Sequence, residues 1–318
     1  MNTISGHDNV RAAFADAMKE GRLHHAWLLY GVQGIGKASI ARQLAALFLC
    51  ESPDLEHGQA CGQCHACAML HADSHPDFAK VERLYDSKKK KLNRDIHIAQ
   101  IREALDFLAL TGLKSVKRVL LIDDANLMNN QAANALLKGL EEPAEGSLML
   151  MVCHDLARLP ATIRSRCMLQ ACAPLSEHDM RKVLSAQQMD EDLLPLAMAL
   201  GQGSPGRVAP LLDEQYAKAL LAWDKLVRNL EQSDIGAIQQ WLDKHVKDIP
   251  HDLIADMVLY AAQDSLQNAE TWQTSSTVYD ALRAVASWPR EVVRHTLRPA
   301  PALLSCILQL RNALKTGA

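Results

Sequence analysis

A short apolar run, Trp27–Tyr30, leads directly into the segment Gly31-Val32-Gln33-Gly34-Ile35-Gly36-Lys37. The segment matches the pattern G-x-x-x-x-G-K, placed between a predicted strand and a predicted helix. In this pattern the glycines let backbone N–H groups approach a phosphate, the helix N-terminus adds its dipole, and the lysine reaches the terminal phosphates. The alternative is a glycine turn that binds nothing. The residues predicted to bind nucleotide phosphates are Gly31, Gly34, Gly36 and Lys37.

The residue after the lysine departs from the phosphate-binding pattern. Serine or threonine is expected there, because its hydroxyl coordinates magnesium, but the chain has Ala38. Ser39 follows one residue later, about 100° further around the helix, so it cannot simply substitute. The sequence therefore predicts a phosphate-binding loop that lacks one of the usual magnesium ligands.

A pair of acidic residues follows a second apolar run, Val119–Ile122. Asp123 and Asp124 come at the carboxyl end of this predicted strand, where an open parallel sheet binds its ligands. Asp123 has the Walker B position, which in P-loop proteins helps to hold magnesium. The alternative is that both carboxylates only cap the strand and begin a loop. With the phosphate-binding loop upstream, we predict that both belong to the nucleotide site.

The first half of the chain alternates short apolar runs with amphipathic segments, which is the pattern of helices that cross between strands of a parallel sheet. The predicted strands are Trp27–Tyr30, Phe78–Val81, Val119–Ile122, Leu148–Cys153 and Met168–Cys172. Beyond Pro174 the patterns are those of amphipathic helices. The sequence therefore predicts an α/β domain over residues 1–173, a small helical domain over 174–210 and a helical domain over 211–318.

Length and composition are those of a globular protein. The chain has 318 residues, of which 48% are hydrophobic and 22% charged, so we expect two or three domains and no long disordered or collagenous segment. The longest strongly apolar runs, such as Leu148–Cys153, are too short to cross a bilayer, and Met1–Val10 has no apolar signal region. We therefore expect a cytoplasmic protein without a membrane partner.

Charge and aromatic content limit how the chain could bind nucleic acid. It has 34 Lys and Arg against 37 Asp and Glu, a net charge of −3, whereas binding by bulk charge needs a strongly basic protein. Aromatic residues make up 4%, which leaves few platforms for base stacking. Any contact with nucleic acid must therefore be local or shared with other chains.

Two basic runs are candidates for such a local contact. Lys88–Lys91 with Arg94 is the densest, and Lys114, Lys117 and Arg118 form the second. Either run could meet phosphates. The alternative, which is the more common case, is that both belong to solvated loops.

Three of the eight cysteines have the spacing of a metal-binding module over residues 50–67. Cys61, Cys64 and Cys67 form C-x2-C-x2-C, and Cys50 lies shortly upstream. Four thiolates would close a tetrahedral zinc site and leave no position for water, so the predicted zinc is structural rather than catalytic. The alternatives are unligated buried thiols, or ligation by nearby histidines. These histidines are His57, His65, His71 and His75.

Three further segments carry a resemblance to a known family. They are Asn134-Ala135-Leu136-Leu137-Lys138-Gly139-Leu140-Glu141-Glu142-Pro143, Thr162-Ile163-Arg164-Ser165-Arg166-Cys167 and Gly203-Ser204-Pro205-Gly206-Arg207. With the phosphate-binding loop, they resemble the clamp-loader branch of the AAA+ proteins over residues 20–210, and the inserted cysteine module resembles the bacterial members of that branch. The resemblance implies an α/β P-loop AAA+ domain, a small helical lid domain and an all-α C-terminal collar domain.

The resemblance assigns a role to Arg166 of the Ser-Arg-Cys element. In the family this arginine reaches across a subunit interface into the neighbour's ATP site, as an arginine finger in trans. Its guanidinium delivers fixed charge as negative charge develops on the γ-phosphate, and such a finger contributes about 10³ to 10⁵ in rate. The alternative, which spacing alone favours, is a salt bridge at the end of a strand.

Three departures from the family fall at one reaction centre. Ala38 lacks the hydroxyl, Asp124 stands where ATP-hydrolysing relatives carry the longer glutamate, and His154 replaces a small polar sensor. The resemblance therefore implies a chain that can still bind nucleotide but hydrolyses little or none. Arg207 lies near the second-sensor position of the active relatives.

The resemblance also implies the partners. They are the ATPase subunits gamma or tau and the subunit delta of bacterial DNA polymerase III, in a ring that loads the sliding clamp onto primer-template DNA during replication. The chain would be the rigid partner, with Lys138 near the ring interior, in a holoenzyme that acts as a nucleotidyltransferase. The first alternative is an ATP-hydrolysing motor subunit like gamma or tau, which the intact Gly36, Lys37 and Asp123 favour. The second, a stand-alone P-loop kinase, would leave the Ser-Arg-Cys element without a role.

Overall fold

The computed structural model describes residues 5–86, 91–109, 117–267 and 276–316. The chain forms two compact units, Met1–Asp179 and Met180–Ala318. The first unit is α/β and the second is helical in its described residues. The finer division of the chain at residues 173 and 210 stays a prediction.

The first unit is built on a five-stranded parallel sheet in the order β2-β5-β6-β1-β7, with a separate two-stranded hairpin of β3 and β4. The strands are β1 (Ala26–Tyr30), β2 (Phe78–Val81), β3 (Tyr85–Asp86), β4 (Lys91–Leu92), β5 (Arg118–Ile122), β6 (Ser147–Cys153) and β7 (Met168–Ala171). Each of the five predicted strands is confirmed, with its ends within one residue of the prediction. The hairpin was not predicted.

The helices follow the amphipathic segments of the sequence. They are α1 (Asp8–Lys19), α2 (Lys37–Leu49), α3 (His65–His71), α4 (Ile98–Ala109), α5 (Asn130–Glu141), α6 (Ala161–Arg164), α7 (Glu177–Ala186), α8 (Leu194–Gly201), α9 (Glu214–Val227), α10 (Ile235–His245), α11 (His251–Gln267), α12 (Ser276–His295) and α13 (Pro299–Thr316). None of the helices in the described part of the chain is long and apolar enough to span a membrane.

Hydrophobic cores cover both faces of the five-stranded sheet. On one face α1 and α2 pack against alternate strand residues such as Trp27, Leu29 and Val119. On the other face α4, α5 and α6 pack against the intervening residues, such as Leu28 and Leu120. Because both faces of the central strands β1, β5 and β6 are buried, these strands are nearly continuous apolar runs instead of alternating polar and apolar residues. This explains why their positions can be predicted from sequence.

The strand order places the candidate site residues at one edge of the sheet. Strand β1 lies between β6 and β7, and β5 pairs with the other side of β6. All of these strands are parallel, so their carboxyl ends meet at the same edge. The loop after β1, the acidic pair after β5 and His154 after β6 are therefore neighbours.

Two stacked tryptophans pack α9 against α10 in the second unit. The rings of Trp223 on α9 and Trp241 on α10 stack with centroids 4.4 Å apart. Each indole N–H also donates to a backbone carbonyl: Trp223 to Ile254 at 3.4 Å, and Trp241 to Ala219 at 2.8 Å. Buried indoles with a satisfied N–H fix the packing of neighbouring helices.

Candidate nucleotide site and metal centre

The loop between β1 and α2 has a backbone shape that requires glycine. Gly31 has φ of +151°, and a Cβ atom there would lie 2.2 Å from the carbonyl oxygen of Cys172. Gly36, with φ of 93°, is the residue immediately before α2. A side chain is strained at positive φ and cannot occupy the space beside Cys172. The glycines of the sequence pattern thus set both the turn and the approach of the loop to β7.

Lys37 lies folded against its own loop. Its Nζ donates to the carbonyl oxygens of Gly31 at 2.8 Å and Val32 at 2.6 Å, and the residue is buried. Burial lowers the pKa of Lys37 to about 8, although nearby thiols and the carboxyls of Asp123 and Asp124 favour its charged form. A phosphate group in this loop would compete for the same ammonium.

The segment before α1 also reaches the phosphate-binding loop. The Nε2 atom of His7 lies 2.8 Å from the carbonyl oxygen of Ile35, and His7 is buried with φ of 60°. No sequence pattern predicted this contact. Trp27, which precedes the loop on β1, does not face it in this way. Its ring lies in the hydrophobic core and packs edge-to-face with Phe14, with centroids 5.1 Å apart.

The acidic pair at the end of β5 is engaged by basic side chains. The Nε2 atom of His154 lies 2.5 Å from Oδ1 of Asp124. The contact with His154, opposed by burial, holds the pKa of Asp124 below its usual range. Asp123 behaves differently: burial raises its pKa, and the ammonium of Lys80, 3.9 Å away, only partly offsets that effect. The two adjacent carboxyls therefore have opposite tendencies to ionise.

Neither of the two residues that follow Lys37 on α2, Ala38 and Ser39, places a hydroxyl near the acidic pair. Ala38 is half-buried and packs against the core under α1 and α2. Ser39 is exposed, as expected for a residue one position further around the helix. The structure thus brings together the phosphate-binding loop, Asp123, Asp124 and His154, with Ala38 in the position where a serine or threonine is expected.

Arg166 lies at the surface between α6 and β7. Its guanidinium forms an ion pair with Glu141 of α5, with Nη2 and Oε1 2.7 Å apart, and donates to the carbonyl of Thr162 at 3.0 Å. Its side chain is 38% exposed. The salt bridge considered from spacing is therefore present, but it is a surface pair, which is weak and exchangeable.

Arg207 is occupied within the second unit. Its guanidinium pairs with Asp256 of α11, and Nε lies 3.1 Å from Oδ2. Burial raises the pKa of Asp256, while the arginine opposes that shift. A role of Arg207 as a second sensor stays a prediction.

The four cysteines of the predicted zinc module form one cluster. The Sγ atoms of Cys50, Cys61, Cys64 and Cys67 all lie within 4.8 Å of one another. Those of Cys50 and Cys64 are 3.9 Å apart, and tetrahedral Zn–S bonds of ~2.3 Å would place sulfurs about 3.8 Å apart. The cluster could therefore hold a zinc ion.

Backbone N–H groups already point at these sulfurs. The amide of Cys61 donates to Cys50, that of Cys64 to Cys61, and that of Cys67 to Cys64, at 3.3 to 3.5 Å. The amides of Gln63 and Cys64 lower the pKa of Cys61 to about 6, whereas burial raises the pKa of Cys50 and of Cys67. Such donors stabilise thiolates, which are the form that binds zinc.

The nearby histidines lie outside this cluster. In the part of the chain that the structure describes, the metal-competent group that includes the cysteines contains no histidine. His57 pairs with Asp54 at 2.8 Å, and His75 accepts the backbone N–H of Asp77 at 3.1 Å. The donor set of the cluster therefore consists of four cysteine sulfurs.

Most basic candidates for nucleic-acid contact are engaged or outside the described residues. Lys117 donates to the carbonyl of Phe48 at 3.0 Å, and Arg118 lies 3.5 Å from Asp77. Arg94 is exposed. Lys88, Lys89, Lys90 and Lys114 lie outside the described residues.

Known proteins resemble this chain most clearly over its first unit. DNA polymerase III subunit delta' of Pseudomonas aeruginosa is 38% identical over 183 residues, covering 57% of this chain and 53% of that protein. The same subunit of Escherichia coli is 31% identical over 236 residues, covering 70% and 68%. A family described as DNA polymerase III, delta subunit, matches residues 6–176. The chain belongs to the DNA polymerase III delta-prime family.

A gamma subunit is also similar to this delta-prime family member, which supports the clamp-loader resemblance of its motifs. DNA polymerase III subunit gamma of Buchnera aphidicola is 31% identical over 216 residues, 66% of this chain and 56% of that protein. These matches span about half to two thirds of the relatives' own length.

One solved structure has the same fold over nearly the whole chain. A DNA polymerase III, gamma subunit-related protein from Thermotoga maritima superposes with a TM-score of 0.52 at 16% identity, covering 94% of this chain and 99% of that one. At this identity the likeness concerns the fold alone. It confirms the predicted α/β architecture followed by helices.

Proposed function

We propose that this chain is a clamp-loader subunit of DNA polymerase III that hydrolyses little or no ATP itself and completes the ATP site of a neighbouring subunit. In the assembly it would serve as the rigid partner of gamma or tau and of delta while the sliding clamp is loaded onto primed DNA. Its C-terminal helices would join the collar of the ring. The family membership supports the assembly, and the site geometry supports the division of labour.

The pairing of His154 with Asp124 is the observation that carries the proposal. A carboxylate that activates water must be free to accept its proton, but Oδ1 of this one is in contact with an imidazole nitrogen 2.5 Å away. The low pKa of Asp124 also makes it a weaker base. With Ala38 in place of a hydroxyl, the groups for attack and for magnesium are both compromised.

Arg166 is suited to act on a neighbour. Its side chain is 38% exposed and its ion-pair partner Glu141 is 51% exposed, so water screens the pair. A γ-phosphate carries more charge than one carboxylate and offers the planar guanidinium several oxygens. Assembly would then transfer Arg166 from Glu141 to the phosphate of the adjoining subunit.

The test is DNA-stimulated ATP hydrolysis by the reconstituted loader containing either the wild-type chain or Arg166→Ala. We expect the isolated chain to show no turnover, and Arg166→Ala to lower the rate of the complex by about 10³ or more. Arg158→Ala is the matched control, because Arg158 is a nearby arginine that is 67% exposed and pairs with Asp155. It should leave the rate unchanged.

The competing function is a motor subunit like gamma or tau. The intact Gly36, Lys37 and Asp123 favour it. Steady ATP turnover by the isolated chain, abolished by Lys37→Ala, would establish that function. An intact complex indifferent to Arg166→Ala would reject the finger, whichever subunit hydrolyses ATP.

We also propose that the four-cysteine cluster binds a structural zinc ion. Its sulfurs have the separation of a tetrahedral site, and four thiolates leave no position for a catalytic water. The ion would fix the loop between α2 and α3, which otherwise has short elements and little core of its own.

A further inference from the structure

The AAA+ fold implies a nucleotide bound with magnesium, so the donor set around the phosphate-binding loop can be tested for that ion. Magnesium requires near-octahedral oxygen coordination and in P-loop proteins takes a hydroxyl from the residue after the lysine. Here that residue is Ala38, whose methyl packs into the hydrophobic core. Ser39 is exposed on another face of α2. The hydroxyl that usually follows the lysine is therefore missing.

The carboxylates that would attract magnesium already face cations of the protein. The ammonium of Lys80 lies 3.9 Å from Asp123. Asp124 is bound by His154 at 2.5 Å and has the guanidinium of Arg83 at 3.9 Å. Fixed cations beside both carboxyls reduce the electrostatic gain of placing a divalent ion there.

The groups that bind phosphate directly are still present. Gly31 and Gly36 keep the backbone of the loop, and α2, a helix of 13 residues, begins immediately after it. The ammonium of Lys37 donates to two carbonyls of its own loop, those of Gly31 and Val32. A helix N-terminus, backbone N–H groups and one ammonium form an anion site that needs no metal.

We propose that this chain binds a nucleoside di- or triphosphate in metal-free form, with Lys37 and the N-terminus of α2 neutralising the phosphates. This rests on the proposed ability of the loop to hold nucleotide, and adds that the usual magnesium ion has no part in it. The site then differs from that of an ATPase neighbour in one property: it keeps its nucleotide when magnesium is removed.

The test is calorimetric titration of the isolated full-length chain with ADP, at fixed pH and ionic strength, in excess MgCl2 or in excess EDTA. We expect the two dissociation constants to agree within about threefold. Lys37→Ala should weaken binding by about tenfold or more in both solutions, because it removes the ammonium. Lys218→Ala, an exposed lysine on α9, is the matched control and should bind ADP like the wild type.

A second variant tests whether the missing hydroxyl at position 38 is the reason that magnesium takes no part in binding. Ala38→Ser restores a hydroxyl with the smallest change in volume, and should make ADP binding about tenfold tighter in magnesium than in EDTA. Equal binding by this variant in both solutions would reject the missing hydroxyl as the cause. Melting curves without nucleotide verify that each variant is folded.

The remaining outcomes separate this inference from the proposal on which it rests. Wild-type binding that appears in magnesium and is lost in EDTA would overturn metal-free binding and leave nucleotide occupancy standing. Absence of binding in both solutions would overturn both. The stator role is measured separately, through Arg166.

Discussion

The Nε2 atom of His154, at the end of β6, lies 2.5 Å from Oδ1 of Asp124, at the end of β5. The two strands are neighbours in the sheet, and both side chains are mostly buried, at 20% and 18% exposed. Two residues that differ separately from those of ATP-hydrolysing relatives thus form one interaction. Either change alone would leave a polar group without its partner, which is costly at such a site.

We expect His154→Ala to destabilise the protein in a pH-dependent way. Because the pKa of Asp124 is held below its usual range, the stabilisation is present above about pH 4 and is lost as pH falls through the lowered pKa. The variant should lose about 1.5 to 3 kcal/mol of unfolding free energy at pH 7, and the difference from wild type should shrink as pH falls through the lowered pKa of Asp124. Urea unfolding at a series of pH values measures it.

The matched control for this prediction is a second histidine–aspartate pair. His57 and Asp54 lie 2.8 Å apart but are 72% and 51% exposed. His57→Ala should leave the unfolding free energy close to that of the wild type at every pH, because exposed charge pairs contribute little. A pH-independent loss in His154→Ala would mean that the ring acts by packing rather than through Asp124.

The cysteine cluster predicts that zinc and stability are lost together. Cys64→Ser removes a thiol whose Sγ lies 3.9 Å from that of Cys50 and which accepts the amide N–H of Cys67. We expect loss of about one zinc ion per chain and a lower melting temperature, since zinc binding to a structural site contributes directly to folding. Elemental analysis of the purified protein and thermal unfolding measure the two effects.

Cys306→Ser provides the control for the cysteine substitution. Cys306 is a half-buried thiol on α13, in the second unit and outside the cluster. Its zinc content should equal that of the wild type. Wild-type protein that carries no zinc, and melts at the same temperature with and without EDTA, would contradict a structural metal.

The sheet could be predicted from sequence because burial on both faces leaves a local record. Residues of β5 and β6 are apolar at successive positions, so each strand is a visible run. The cysteine module could likewise be predicted, because its residues are close in sequence with the spacing C-x2-C-x2-C. The ends of these elements follow from the polar or glycine residues that flank them.

Contacts between residues far apart in the sequence could not be predicted from sequence patterns. The carbonyl of Ile35 meets His7, and Glu141 meets Arg166, across sequence separations that no periodic pattern spans. The hairpin of β3 and β4 was missed for another reason. Its strands have two residues each, too short to show an alternation of polar and apolar side chains.

The tight approach of the phosphate-binding loop to β7 can be tested with one methyl group. A Cβ at Gly31 would lie 2.2 Å from the carbonyl oxygen of Cys172, at φ of +151°. Gly31→Ala should therefore cost about 3 kcal/mol or more of unfolding free energy. Gly21→Ala is the control: φ is +65°, with nothing within 4 Å, so it should cost only about 1 to 2 kcal/mol of backbone strain. Equal costs would show that the loop can move away from β7.

Lys37 should make stability increase with pH above neutrality. Burial lowers its pKa to about 8, whereas an unfolded lysine titrates near ~10.4, so between these values the unfolded chain binds the extra proton. Stability therefore rises with pH across that interval. Replacing the lysine removes the cost of burying its charge, partly offset by loss of its hydrogen bonds to Gly31 and Val32.

Lys37→Met should thus be more stable than wild type at pH 7, by about 1 to 2 kcal/mol, and the advantage should disappear by about pH 10. Denaturant unfolding of both proteins from pH 7 to pH 10 measures this difference. Lys218→Met, at an exposed position, should show no such trend. A Lys37→Met protein that is less stable at pH 7, or whose difference from wild type is constant with pH, would show that the ammonium is fully stabilised by its loop. In that case a phosphate would have to displace strong existing contacts to bind.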